Sequence, residues 1–231
     1  MGTVQDLQDI DTLLRFYEER NYLSRRRFFT MKILIDNGHG VNTPGKRSPK
    51  GGDKGMLYEW KWAREIAKPV VEKLKEKGYD AELIVTEDID ISLGERCRRV
   101  NKWCDKLGSK NCLFVSVHAN ASGNCVKWEE PNGWCEFVYT KASSRSKQLG
   151  QCLYDEAYKR GLKGNRCVPD SRYWTANFYV LKHTQCPAVL TENLFYDNKK
   201  DYEYMMSDKG KAEIVDIHVE GIINYIKKQQ A

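Results

Sequence analysis

Apolar residues recur along this chain in two rhythms. The first is a set of short unbroken runs: MKILID (31–36), AELIV (81–85) and CLFVSV (112–117) each read as a buried strand. The second is helical. Ala63, Ile66, Ala67, Val70, Val71 and Leu74 share one face, which predicts a helix from about Tyr58 to Lys77 that Gly78 ends. Pro69 lies inside that span and predicts a kink or a split. Ser92 and Glu95 form an S-x-x-E capping box that opens a second helix, running to about Leu107. Pro131, Asn132 and Gly133 turn the chain into a strand at 134–139, and a helix over 143–160 stops at Gly161. Residues 162–177 read as irregular and are rich in Arg, Trp and Tyr. Short strands are predicted near 178–182 and 187–191. The last helix runs from about Asp208 to Lys228 on Ile214, Ile217, Ile222 and Ile226. Strands that alternate with segments of helix length predict an α/β sandwich with a largely parallel sheet.

Length and composition narrow this picture. A chain of 231 residues suits one α/β domain, or at most two small ones. A hydrophobic fraction of 41% with 30% charged residues excludes a disordered chain. No stretch approaches the roughly 18 apolar residues of a membrane span. The net charge of +6 assists approach to anionic polymers, yet it equally describes a lysine-rich soluble surface, so no nucleic-acid partner is expected. None of the eight cysteines forms a C-x-x-C pair, which argues against a cysteine zinc knuckle. Buried free thiols are the default reading, and disulfides formed after export are the alternative.

The first thirty residues look foreign to the rest of the chain. Leu7, Ile10, Leu13, Leu14 and Tyr17 give residues 6–20 an amphipathic helical pattern. Arg25, Arg26 and Arg27 are followed by no apolar stretch long enough for a signal peptide. Phe28 to Ile35 reads as a strand leading into the first chemical motif. Two units are therefore expected: an extension at 1–30, either a non-native remnant or a docking helix, and a domain at 31–231.

Chemistry-bearing residues fall where those strands end. His39 follows MKILID, His118 follows CLFVSV, and Glu192 follows PAVLT. Ligands of open α/β sheets bind outside the carboxyl ends of strands, so three such groups can converge there. Glu59, in the first turn of the helix after the glycine-rich loop 40–55, can point at the same edge. A lone histidine is more often structural than a ligand. Two at strand ends, with two carboxylates placed to join them, fit the rule that catalytic zinc takes three protein ligands and keeps a fourth position for water. His218 lies in the last helix and reads as structural, whereas His183 faces either the site or solvent. Gly40 to Lys46 begins like a phosphate-binding loop, but Arg47 stands where that motif needs Ser or Thr and no helix follows at once. H-E-x-x-H and G-x-S-x-G are absent.

Taken together, IDNGHG (35–40), Glu59 in YEW, LGERCRRVN (93–101), FVSVHAN (114–120) and YVLKHTQCPAVLTENLFYDN (179–198) carry a resemblance. In this order they make the chain similar to the zinc-dependent N-acetylmuramoyl-L-alanine amidases of the amidase_3 family, over most of residues 31–228. The resemblance implies a three-layer α/β sandwich with a mixed, mostly parallel six-stranded sheet flanked by helices. It also implies one zinc ion on His39, Glu59 and His118, with Glu192 catalytic. Asn37 stands where the family commonly has proline, and Asn193 where a small residue is usual; neither is expected to touch a ligand position.

The expected substrate is peptidoglycan, cut between N-acetylmuramic acid and L-alanine of the stem peptide by zinc-activated water, with Glu192 as proton-transfer group. Trp128, Trp134, Tyr173 and Trp174 fall in loops that would rim the cleft, where sugar stacking and structural roles are equally open. Arg166, Arg172 and His183 are further substrate-contact candidates. A zinc peptidase acting on the stem peptide and a non-catalytic wall-binding module are the alternatives. A monomer is expected, made in the cytoplasm and acting on the cell wall like a phage or prophage lysin, or else exported by a route the sequence does not reveal.

Overall fold

The computed structural model describes residues 31–230. The extension at 1–30, with its helix at 6–20 and the first residues of the strand from Phe28, lies outside the described residues. Among the described residues, β1 (Lys32–Asn37), β2 (Ala81–Leu83), β3 (Cys112–Asn120), β4 (Cys135–Tyr139), β5 (Trp174–Ala176) and β6 (Ala188–Phe195) form one sheet in the order β2-β1-β3-β6-β4-β5. Four of the five pairings are parallel; only the β4–β6 pair is antiparallel, so β4 and β5 run against the other four strands.

Side chains alternate across the central strands, and each set enters its own core. Ile33 and Ile35 of β1 and Val115 and Val117 of β3 pack with apolar residues of α1 (Glu59–Glu76), α3 (Ser144–Lys159), α5 (Lys199–Met205) and α6 (Asp208–Gln230). Leu34 and Phe114 point to the opposite face, against α2 (Leu93–Leu107) and α4 (Tyr179–His183). The result is the three-layer sandwich with its mixed, mostly parallel six-stranded sheet.

Local signals explain most element ends. Gly78, at φ 84°, takes the left-handed conformation that stops α1. Ser92 Oγ accepts from the Glu95 amide at 3.3 Å, but only half of the capping box forms, because the Glu95 carboxylate turns to Arg98 and Arg99. Pro69 neither splits nor ends α1; it is half-buried within an unbroken helix of 18 residues. The segment 178–182, expected as a strand, is instead the one-and-a-half-turn helix α4. Helix α5 was not foreseen, and β5 emerges inside the stretch expected to be irregular. All eight cysteines are free thiols, six of them buried. No described helix is long and apolar enough to cross a membrane.

The α6 core holds one titratable group whose behaviour is predictable. His218 is fully buried, with Nδ1 2.8 Å from the Ile214 carbonyl and Nε2 3.0 Å from Thr191 Oγ1. A neutral ring satisfies both, donating from Nδ1 and accepting the threonine hydroxyl. Trp134, expected at the cleft rim, is instead buried against this ring at 5.3 Å and donates to Glu136 Oε2 at 2.6 Å. Burial lowers the His218 pKa from 6.5 to about 4. The unfolded chain therefore binds a proton near pH 6.5 that the folded chain refuses until about pH 4, and native stability is lost as pH falls through that window. The loss approaches about 3 kcal/mol at the acid end. Urea titrations of His218→Gln between pH 6.5 and 4 are expected to give a flatter profile than the parent; parallel profiles would assign the acid sensitivity to other groups.

Candidate metal centre and cleft

His39 is one of four non-glycine residues with a left-handed backbone among the described residues. It sits just past β1 at φ 63°, a left-handed conformation that costs a non-glycine residue on the order of 1 kcal/mol. Its carbonyl is held by both guanidinium nitrogens of Arg64, at 3.2 Å each, and by Arg96 Nη2 at 3.3 Å. Arg96 is itself buried. It donates to Asp36 and to the carbonyls of Asn37 and Ile91, and it reaches Asp90 at 3.0 Å. Ser116 Oγ donates to the other Asp36 oxygen at 2.6 Å. The charged network under β1 thus holds the imidazole of His39 toward the sheet edge.

The glycines on either side of His39 are required by proximity. A Cβ on Gly38 would lie 2.0 Å from His118 Cε1, and one on Gly40 would lie 2.0 Å from the Asp90 amide nitrogen. The His118 ring therefore lies directly on the Gly38 backbone, and the rings of His39 and His118 meet edge-on at 4.9 Å.

Glu59 opens α1 and is almost wholly buried. Its Oε1 accepts from the Ala119 amide at 3.1 Å and lies 3.1 Å from His118 Nδ1. Its Oε2 has no hydrogen-bond partner, although His39 Nε2 is 3.4 Å away. Burial works to raise its pKa, but the imidazoles of His118 and His39 beside the carboxylate outweigh burial and hold it well below the usual carboxylate range. The donor atoms of His39, Glu59 and His118 all lie within 4.8 Å of one another. Two imidazoles and a carboxylate carrying a shielded, unpartnered oxygen form a set that can hold one divalent cation.

Glu192 stands directly across the sheet from this set. On β6 it pairs with His118 of β3 on one side and with Cys135 of β4 on the other. Beyond it β6 carries one extra residue relative to β3, and Leu194 takes φ 69° at this bulge. Glu192 Oε2 is shielded and unpartnered. Burial, then repulsion from Glu59, pushes its pKa up to about 8. The side chain of Asn193 turns back and donates to the His118 carbonyl at 2.6 Å. This corrects the expectation that Asn193 touches no ligand position: it braces the backbone of one. Asn37 does not bear on a donor atom; its side chain donates to the Val85 carbonyl at 3.2 Å.

Two cavities open from the centre, of about 240 and about 310 Å³, and both are lined by His39, His118 and Glu192. Leu93, Phe178 and Tyr179 give the smaller one an apolar wall, while Asn120, Asn124 and Tyr196 line the larger. Lys46 borders both. Arg166, Tyr173, Trp174 and His183 line neither cavity. Arg166 lies between the rings of Trp174 (5.1 Å) and Phe195 (5.4 Å), with Nη1 3.0 Å from Cys135 Sγ, which puts it behind Glu192. Tyr173 packs beside Gly150 of α3, and exposed His183 stacks on Tyr179 at 4.2 Å. Trp128 leans on Tyr202 at 5.1 Å, and Arg172 pairs with Asp155. No helix starts near Lys46, since α1 begins only at Glu59, so the phosphate-loop reading has no structural counterpart.

The support under His39 was missed in the sequence, although a signal existed: Asp36 is a carboxylate inside an otherwise apolar strand, and such a group demands a buried cation. Arg96→Met leaves the Asp36 charge buried and unpaired. The expected cost is about 3–5 kcal/mol, read as a fall in Tm of roughly 10 °C for a chain of this size. Adding Asp36→Asn should recover part of it. A change of under about 1 kcal/mol in Arg96→Met would show that the pair does not secure the loop.

Comparison with known proteins identifies the family and the fold. Residues 33–224 match the family model described as N-acetylmuramoyl-L-alanine amidase. The endolysin of Bacillus phage SPP1 is 32% identical over 195 residues, covering 82% of this chain and 64% of that protein. The amidase LytC of Bacillus subtilis (strain 168) is 31% identical over 197 residues, covering 84% of this chain and 35% of its own length. The chain thus spans less than two thirds of either relative. The solved catalytic domain of CwlV, an N-acetylmuramoyl-L-alanine amidase from Bacillus (Paenibacillus) polymyxa var. colistinus, superposes with a TM-score of 0.66 at 26% identity, covering 85% of this chain and 99% of that domain. On the extent of the family match, the chain belongs to the N-acetylmuramoyl-L-alanine amidases of the Amidase_3 family.

Proposed function

We propose that residues 31–231 are the catalytic domain of a zinc-dependent peptidoglycan amidase that cuts the bond between the lactyl carbonyl of N-acetylmuramic acid and the nitrogen of L-alanine. The observation that carries this reading is the convergence of His39, Glu59 and His118 donor atoms within 4.8 Å, with the unpartnered oxygen of Glu192 beside them. His39, Glu59 and His118 hold the ion. Zinc supplies Lewis acidity, which polarises a carbonyl and acidifies water. The protein's own part is proton transfer and shape. The Glu192 carboxylate accepts the proton of the attacking water as the new C–O bond forms, then gives it to the alanine nitrogen as the C–N bond breaks. Burial and the neighbouring Glu59 charge raise the proton affinity of Glu192 above that of an ordinary carboxylate, and a cation held by His39, Glu59 and His118 would draw it back towards the ionised form that accepts a proton. Both cavities adjoin the reacting position, which leaves room for the glycan and for the peptide.

All four residues come from one chain, so the site is complete in a monomer. The likeness to a phage endolysin favours a lysin-like setting, with synthesis in the cytoplasm and action on the wall. Metal analysis coupled to digestion of purified cell wall tests the reading. One zinc per chain and free stem peptides with L-alanine at the amino end are expected. Peptides cut internally would mean a stem-peptide peptidase instead, and no release at all would mean a wall-binding module.

A further inference from the structure

Among the described residues, the cations that line or back the cleft are engaged, with one exception. Arg96 spends its donors on Asp36, Asp90 and three carbonyls. Arg166 is taken by Cys135 Sγ and two aromatic faces. Lys46 is exposed and, among the described residues, its ammonium makes no ion pair and no hydrogen bond, yet it lines both cavities.

Its place is fixed by its backbone rather than by its side chain. The Glu59 amide donates to the Lys46 carbonyl at 2.9 Å, so Lys46 is tied to the residue that carries a metal-centre carboxylate. Arg47 forms a bridge with Tyr58, the Ser48 amide donates to the Leu57 carbonyl at 2.8 Å, and the Leu57 amide donates to Ser48 Oγ at 3.1 Å. A loop otherwise rich in glycine is therefore stapled to the start of α1 just where it carries the lysine. Of the acids nearby, Asp36 and Asp90 hold Arg96, Glu59 faces the two histidines, and Glu192, which lines the same cavities and feels the Lys46 charge, makes no ion pair with it. An unpaired ammonium on a fixed backbone position, at the junction of two cavities, is suited to receive a substrate anion.

The geometry points to Lys46 as a specificity-determining residue that binds a free carboxylate on the stem-peptide residue following L-alanine. This rests on the proposed amidase function. The substrate class is thus an acidic stem peptide rather than one whose carboxyl is capped as an amide, because an amide offers the ammonium no charge.

Two soluble muramoyl-peptides that differ only in acid against amide at that residue test it. The parent enzyme, loaded with zinc, is expected to favour the acid by about tenfold in kcat/KM, carried by KM, as one charge-assisted hydrogen bond would give. In Lys46→Met the ratio should fall to near one, and in Lys46→Arg most of it should return. Zinc content and Tm of the variants report that the fold is intact. A parental ratio near one overturns the assignment, as does a ratio that survives in Lys46→Met or an equal loss of kcat on both peptides. Failure of the parent to cut either peptide sinks the amidase reading itself, and with it this one.

Discussion

Glu192→Gln is expected to keep one zinc per chain while turnover on cell wall falls by about 10²–10⁴-fold, the range that a positioned acid–base group contributes. Glutamine has nearly the same shape, and its neighbours across the sheet, His118 and Cys135, are set by strand pairing rather than by the carboxylate. What the substitution removes is an oxygen able to take and return a proton. Glu192 Oε2 has no hydrogen-bond partner, so no structural bond is lost with it. The donors of the metal centre belong to other residues, which is why metal content and turnover should separate. Atomic absorption of the purified variant and counting of released amino termini measure the two independently. Parental turnover with normal zinc would remove Glu192 from the chemistry, and loss of zinc would make it a ligand.

The parts of this arrangement that were legible in the sequence share one cause. His39, His118 and Glu192 stand at the ends of apolar runs, and the ends of parallel strands converge by topology alone. No side-chain detail is needed to see that. Glu59 was legible because a helix start is marked by the loop before it. The errors have the opposite cause, since each depends on a contact between distant residues. The run around Tyr179–His183 is too short for periodicity to separate helix from strand, and packing on α2 decided it. Trp134 looked like a rim residue because its segment follows a turn; it is buried because Glu136 and His218 receive it.

The bracing of the site belongs to the same class. Arg64, Arg96 and Asn193 each act on a backbone carbonyl, of His39 or of His118, and a carbonyl partner leaves no trace in residue type; only Arg96 had a sequence sign, through its second partner Asp36. A left-handed His39 is stable only because three hydrogen bonds converge on its oxygen. The sequence motif names the proposed ligands, while Arg64, Arg96 and Asn193 hold the backbone that carries two of them.

His118→Ala should abolish zinc retention and wall hydrolysis together, and the stability response to zinc separates this from simple damage to the fold. The ring rests on Gly38, so its removal opens a small void and lowers Tm without any metal being involved. Absolute Tm is therefore the wrong measure; the informative one is the shift when zinc is added to chelated protein. For the parent, zinc at about 1,000 times its Kd adds about 4 kcal/mol, or roughly 10 °C for a chain of this size. With one of three donors gone, a thousandfold weaker site at the same zinc concentration adds only about 0.4 kcal/mol, and the shift shrinks to roughly 1 °C. His39 and Glu59 remain in contact in the variant, so a residual shift of that size is compatible with ligation. A full parental shift in His118→Ala would mean that the ion, wherever it binds, does not rest on the pair of imidazoles that meet at 4.9 Å.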